Sequence, residues 1–200
     1  MLAGSDYFIK EYDKVTRESF QILYDGPGLA DSTMDVRSLA PALLAIGDTL
    51  EAANAVLNGE RAKVSVKVNA SFKTGSFGID LGIDQSMVDS VVNLFNDNRL
   101  VGALNLLATI GYIAVGTELA RKSVVQLIKW VRGRRIDRVE IIDNKIARVF
   151  VDDEHEDFEQ QVIEVFRNMR FRKALEKAIH DPLQTDDIDV FAVTKNGERF

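Results

Sequence analysis

The sequence predicts an α+β fold: antiparallel strands packed with a long helix, an inserted apolar helical unit, and a second strand and helix group. Three observations carry it. Val64 to Phe72 and Phe77 to Ile83 each alternate apolar with polar side chains on either side of Lys73-Thr74-Gly75-Ser76, the period of a half-buried hairpin. Leu39, Leu43, Ile46, Leu50, Ala53 and Leu57 recur at steps of four and three, the period of a helix with one apolar seam. A strand pattern returns at Arg138–Ile142 and Ile146–Val151, after an apolar middle that reads as helical.

Two hundred residues with 46% hydrophobic and 28% charged side chains suffice for one large domain or two small ones with a real core. Without cysteine there is no disulfide framework, thiolate nucleophile or thiolate metal site, so a metal would rest on carboxylates and two histidines. A formal charge of −6 disfavours nucleic acid as a partner held by bulk electrostatics. The opening MLAGSDYFIKEYDK lacks the charged leader, apolar core and small-residue cleavage site of a signal peptide. The expectation is a cytoplasmic chain, with membrane association as the alternative.

The organisation reads as an arm over residues 1–18, a strand-helix-hairpin unit over 19–84, a helical unit over 85–133 and a hairpin-helix-helix-strand unit over 134–200. Phe20, Ile22 and Tyr24 alternate as a strand, and Asp25-Gly26-Pro27-Gly28 ends it with turn chemistry. That glycine-rich turn does not read as a phosphate cradle, because neither a helix start nor a lysine follows it. Ser32 to Asp35 supplies N-cap chemistry for a helix beginning near Val36 or Leu39, with Pro41 in its first turn or at a break, and Asn58-Gly59 closes it. In the hairpin, Phe72 opposite Phe77 places Ala70 with Ile79, Val68 with Leu81 and Val66 with Ile83. Lys67 then lies diagonally near Asp80 and Asp84 on the wet face.

Gln85-Ser86 reads as the cap of a helix carrying Met87, Val88, Val91, Val92, Leu94 and Phe95. Leu100 to Thr117 holds no charge, but it is slightly short for a membrane span and is weakened by Asn105, Thr109, Gly102, Gly111 and Gly116, so it reads as buried helix. A third helix, Thr117 to Arg132, turns Leu119, Val124, Leu127, Ile128 and Val131 inward. Its other side and the residues after it form a basic stripe of Arg121, Lys122, Lys129, Arg132, Arg134, Arg135 and Arg138, with Trp130 among them and only Asp137 opposed. These seven residues are the candidate contact for phosphates, lipid headgroups or a partner, and pairing with the chain's own acidic surface is the simpler alternative.

A three-residue loop at Asp143-Asn144-Lys145 pairs Ile142 with Ile146, Glu140 with Arg148 and Val139 with Val149. Asp152 to Asp157 crowds five carboxylates around His155, but without calcium-loop spacing it reads as the acidic first turn of a helix carrying Phe158, Val162, Val165 and Phe166. A helix from Met169 to His180 follows, stopped by Asp181-Pro182. Ile188 to Val193 is the last strand, and the Asn196-Gly197 turn so near the end predicts a downstream module.

The motifs Tyr24-Asp25-Gly26-Pro27, Met34 to Leu44, Val56-Leu57-Asn58-Gly59 and Ile128 to Gly133 resemble those of an uncharacterised bacterial and prophage protein family. That resemblance implies an N-terminal domain of unknown function followed by a small C-terminal domain, and it implies no active site. Neither a nucleophile-base-carboxylate grouping nor a Walker-type loop emerges from the residues themselves. The expected function is a non-enzymatic interaction or assembly module that self-associates through its apolar helical middle, with no cofactor, no metal and no catalytic residues. Two rivals remain open. One is a membrane-acting effector that inserts Leu100 to Gly116, and the other is a metal-dependent enzyme using Asp152, Asp153, Glu154 and His155.

Overall fold

The computed structural model describes residues 15–29, 33–69, 77–87, 100–113, 122–143, 145–184, 188–195 and 198–199. Among them the fold is α+β, with two antiparallel sheets and five α-helices sharing one apolar core. Strand β1, Val15–Asp25, begins four residues earlier than its apolar alternation suggests. Phe20, Ile22 and Tyr24 are buried on one face, and a single 3-10 turn at Pro27–Leu29 ends the strand's run. The predicted arm before Val15 lies outside the described residues.

Helix α1, Val36–Asn58, is capped by the Asp35 carboxylate, which accepts from the Arg37 N–H at 2.6 Å. Pro41 sits inside the continuous helix, one turn deeper than expected. Only the carbonyl of exposed Arg37 loses its helical donor there. The predicted seam is present, with Ile46, Leu50 and Ala53 buried, but the buried face is wider. Ala42, Ala45, Thr49, Ala52, Asn54 and Asn58 join it, because α1 is enclosed by β2, α2, α4 and α5. Gly59 closes the helix at φ 58°.

Strands β2, Ala62–Asn69, and β3, Phe77–Met87, pair with Val66 opposite Ile83 and Val68 opposite Leu81, the register read from the sequence. The Ala70 and Phe72 pairings lie outside the described residues. β3 corrects one expectation: Gln85 and Ser86 do not cap a helix but continue the strand to Met87. The physical reason is a buried amide network. Gln85 donates to Asn54 Oδ1 and to the Val101 carbonyl, each at 2.9 Å, while its own oxygen accepts from Thr16 Oγ1 at 3.0 Å. Asn58 accepts from the Val101 N–H at 2.8 Å and donates to Asn54 and to the Val101 carbonyl. Four segments of chain are thereby pinned by amides that sequence pattern treats as surface groups. The helix expected after Met87 falls among residues outside the described set.

β1 lies between β3 and β7, Val190–Lys195, and the order β2-β3-β1-β7-β8 is completed by Glu198–Arg199 as β8. The segments read as the first and last units of the chain therefore share one sheet. Its wet face carries the expected Lys67–Asp84 pair at 2.6 Å, with Arg17 joining Asp84 at 3.3 Å, while Lys195 joins Glu18 at 2.6 Å on the opposite face, the one that carries Phe20 and Ile22. The hydrogen-bonded Lys67 ammonium holds the Asp84 carboxyl below its usual range.

The apolar middle is α2, Ala103–Ile110, whose Leu106, Leu107 and Ile110 are buried against β1, β3 and α1. Gly111 ends it at φ 102°, so Leu100 to Thr117 is not one helix. Helix α3, Val124–Val131, starts seven residues later than Thr117, where Ser123 and Gln126 form a reciprocal capping box. Val124, Leu127 and Val131 face the core as expected, whereas Ile128 is exposed.

The second sheet has the order β4-β5-β6, from Arg138–Ile141, Ile146–Val151 and Glu154–Glu159. The pairs Val139 with Val149 and Glu140 with Arg148 are those the sequence predicts. The acidic run is corrected from a helix start to strand β6, reached through Asp152 at φ 52°, and Phe158 is buried from that strand. Helix α4 begins only at Gln160 and runs to Arg167, touching this sheet, α1 and α2. Helix α5, Met169–Leu183, passes through Pro182 and does not stop before it. A proline at 182 deprives the Ala178 carbonyl of its helical donor, and the buried Tyr24 hydroxyl donates to that carbonyl at 3.1 Å.

Candidate interaction surface

The basic stripe is positioned by the end of α3 and the chain leading into β4. α3 exists because its capping box secures the first turn and Val124, Leu127 and Val131 bury one face. Lys129 therefore lies on the solvent side, and Trp130 packs half-buried on Phe158 with ring centroids 6.1 Å apart. Arg132 closes the helix at φ 51°, and Gly133 follows at φ 74°. An arginine in that left-handed region costs about 1 kcal/mol where glycine would cost nothing.

The seven predicted residues separate into classes. Lys122 pairs with Glu156 and lies 5.6 Å from the centre of the Phe158 ring. Arg134 reaches Glu154 at 3.0 Å and Asp152 at 3.4 Å, donates to the carbonyls of Trp130 and Val131, and stacks 5.7 Å over the Trp130 ring. Arg138 binds Glu140 at 2.8 Å and sits 3.6 Å over Phe150. Lys129, Arg132 and Arg135 are exposed and pair with no carboxylate among the described residues. Arg121 lies outside them.

Of the partners, Glu140 comes from β4 itself, Asp152 from the turn before β6, and Glu154 and Glu156 from β6, whose acidic residues the sequence pattern assigns to a helix start. Asp157 faces the other way along the same strand and takes both Arg148 nitrogens, at 2.7 and 2.8 Å. The Arg148 guanidinium holds the Asp157 carboxyl below its usual range and is itself pushed up in return. Thus Asp152, Asp153, Glu154 and His155 do not converge: Asp152 and Glu154 bind Arg134, and His155 lies against the Phe150 ring at 5.6 Å. Among the described residues no group of three or more histidine, aspartate or glutamate side chains could hold a metal ion. Among them, too, no helix is long and apolar enough to cross a membrane.

Pattern reading misses the open edge beside this stripe. β4 is the outermost strand of its sheet, and Ile141 and Ile142 are 60% and 50% exposed there. The signal available in the sequence is that Arg138 to Ile142 carries neither proline nor lysine, two devices that commonly protect a sheet edge. A second apolar row, Val36, Ala40 and Leu44, is exposed along the first turns of α1.

Compared with known proteins, the chain matches no family model, no curated protein and no solved structure.

Proposed function

We propose that the chain is a non-enzymatic interaction and assembly module that self-associates. A bacterial or phage setting for it rests on the resemblance of its four motifs. The observation that supports self-association is the β4 edge, which pairs with no further strand among the described residues and beside which Ile141 and Ile142 are 60% and 50% exposed. Residues 101–113 are buried in the chain's own core apart from exposed Leu104 and Asn105 and half-buried Gly102 and Gly111, so this reading sets the contact at the β4 edge and not in the apolar middle. Light scattering after size exclusion, over a concentration series, tests the reading. A mass that rises toward a multiple of the monomer supports it, and a monomer at every concentration overturns it.

A second reading is supported by Lys129, Arg132 and Arg135, three exposed cations at and just after the end of α3 that pair with no carboxylate among the described residues. They suit contact with an anionic membrane surface through headgroups, without insertion, at roughly 1 kcal/mol per cation at low salt. Flotation with vesicles of anionic and of neutral lipid tests it. Retention on the anionic vesicles that disappears in Lys129→Ala/Arg132→Ala/Arg135→Ala supports this contact, and no retention at low salt overturns it.

A further inference from the structure

The self-association reading leaves open which residues meet, and the β4 edge restricts the answer. The Ile142 N–H donates to the Ile146 carbonyl at 3.0 Å. In an antiparallel ladder the bonded pairs alternate, so Glu140 and Arg138 also face β5, while Val139 and Ile141 direct their N–H and C=O groups away from it. These outward groups are the template for another strand. We propose that β4 pairs with β4 of a second copy, antiparallel and centred on Val139, joining two three-stranded sheets into one of six strands.

The register follows from charge and shape. Centring on Val139 sets Arg138 opposite the second copy's Glu140, and Glu140 opposite its Arg138, on the outer face of the sheet. The alternation holds only within β4: the Asp137 N–H also turns to β5, donating to the Phe150 carbonyl at 2.9 Å, and Ile136 packs against the core, so beyond the charged pairs this register sets Ile141 opposite Asp137. Centring on Glu140 instead would place two glutamates directly opposite each other, which is destabilising. Centring on Ile141 would leave Arg138 and Glu140 without charged partners across the new interface. The monomer already holds the two charges in place: Arg138 lies flat on Phe150 and binds Glu140, so little side-chain freedom is lost on pairing. A second copy is the favoured occupant because the centre of β4 is complementary to itself, with Val139 opposite Val139 and each Arg138 opposite a Glu140.

This proposal rests on the self-association reading, and the test separates the two. Arg138→Glu gives a β4 with two anions and Glu140→Arg gives one with two cations. Each variant alone opposes like charges in the proposed register, whereas the mixture restores both complementary pairs. Sedimentation velocity of the full chain at low salt is expected to show self-association in the parent and at least about tenfold weaker self-association in either variant. The equimolar mixture is expected to return to the mass of the parent. Ile141→Asp, at a side chain the monomer leaves in water, opposes a carboxylate to Asp137 and is expected to weaken association independently of the charge pairs, and it serves where a charge variant folds poorly by circular dichroism. A parent that associates while the variants associate equally well overturns the β4 pairing and leaves the assembly reading standing. A parent that is monomeric throughout overturns both.

Discussion

Gly111→Ala tests the break that divides the apolar middle. Gly111 adopts φ 102°, ψ 23°, and its N–H closes α2 onto the Leu107 carbonyl at 3.0 Å. An alanine methyl at that position would overlap Ser123 Oγ and come within 3.0 Å of Ser123 Cβ and 3.1 Å of Val125 Cβ. Holding an L-residue at this positive φ costs roughly 1–2 kcal/mol. Moving Ser123 aside loosens the capping box of α3, which costs about 1 kcal/mol more. The reduced freedom of the unfolded chain offsets only about 0.4–1 kcal/mol. The net is destabilisation by about 2 kcal/mol, or a Tm lower by roughly 4–8 °C for a chain of this length. A thermal melt followed by circular dichroism reads it, and a Tm at or above the parent refutes the reasoning. The cycle with Ser123→Ala identifies the cause. If the overlap with Oγ drives part of the loss, the double variant loses less than the two singles together, and strict additivity would remove Ser123 from the explanation.

Tyr24→Phe leaves the buried Ala178 carbonyl without the donor that stands in for the missing N–H of Pro182, and urea denaturation should show a loss of about 1–3 kcal/mol; an unchanged midpoint would mean that the carbonyl is satisfied otherwise. Asn58→Ala removes three hydrogen bonds from the amide network that holds Val101, and it should destabilise by about 3 kcal/mol on the same measurement, with a loss under 1 kcal/mol counting against the network's importance. Asp157 and Asp84 are more acidic in the folded chain, chiefly through hydrogen bonds from Arg148 and Lys67, so their contribution is complete above the ordinary carboxylate pKa and drains as pH falls below it. Stability measured downward from pH 6 should therefore fall on the acid limb, and Asp157→Asn should make that limb shallower. At the other extreme, burial raises the Tyr24 and Tyr112 hydroxyls well above the usual phenol range, so their contribution holds below pH about 10 and is lost above it; a flat alkaline profile would contradict this.

What the sequence made legible was local pairing with a buried face. The β2–β3 and β4–β5 registers follow from alternation and loop length alone, since a slip of one residue would turn Val66 and Val68, or Val139, to the wrong side. The α1 periodicity was legible for the same reason, although its width was not. Ala42, Ala45 and Ala52 are small enough to sit against any neighbour, and only the enclosing elements decide that they are inside. The insertion of β1 between β3 and β7 pairs residues 53 to 71 positions apart on one side and 165 to 173 on the other, and no local period encodes it. Gln85 shows a second limit. A glutamine after a strand reads as cap chemistry until Asn54, Thr16 and Val101 are brought to it by segments distant in sequence.

The candidate surface was legible as a set of charges but not as a field. Propensity disfavours Glu154, Glu156 and Asp157 in a strand, yet β6 contains them because each finds a cation: Glu154 takes Arg134, Glu156 takes Lys122 and Asp157 takes Arg148. Cross-strand pairing, and pairing with the segments that flank α3, outweighs the intrinsic preference, and it does so with residues about 10 to 35 positions away. The same pairing subtracts Lys122 and Arg134 from the basic stripe, while the Arg138–Glu140 pair lies along one strand and points outward. A run of like charge in sequence therefore overstates the field at the surface, which depends on what the fold lays beside it. Applied to this chain, that subtraction leaves Lys129, Arg132 and Arg135 as the members of the stripe with no carboxylate partner among the described residues. It leaves Arg138 and Glu140 as a balanced pair on an open edge, an arrangement that suits a second copy of β4 better than a lipid surface, because an anionic surface would attract one member of the pair and repel the other.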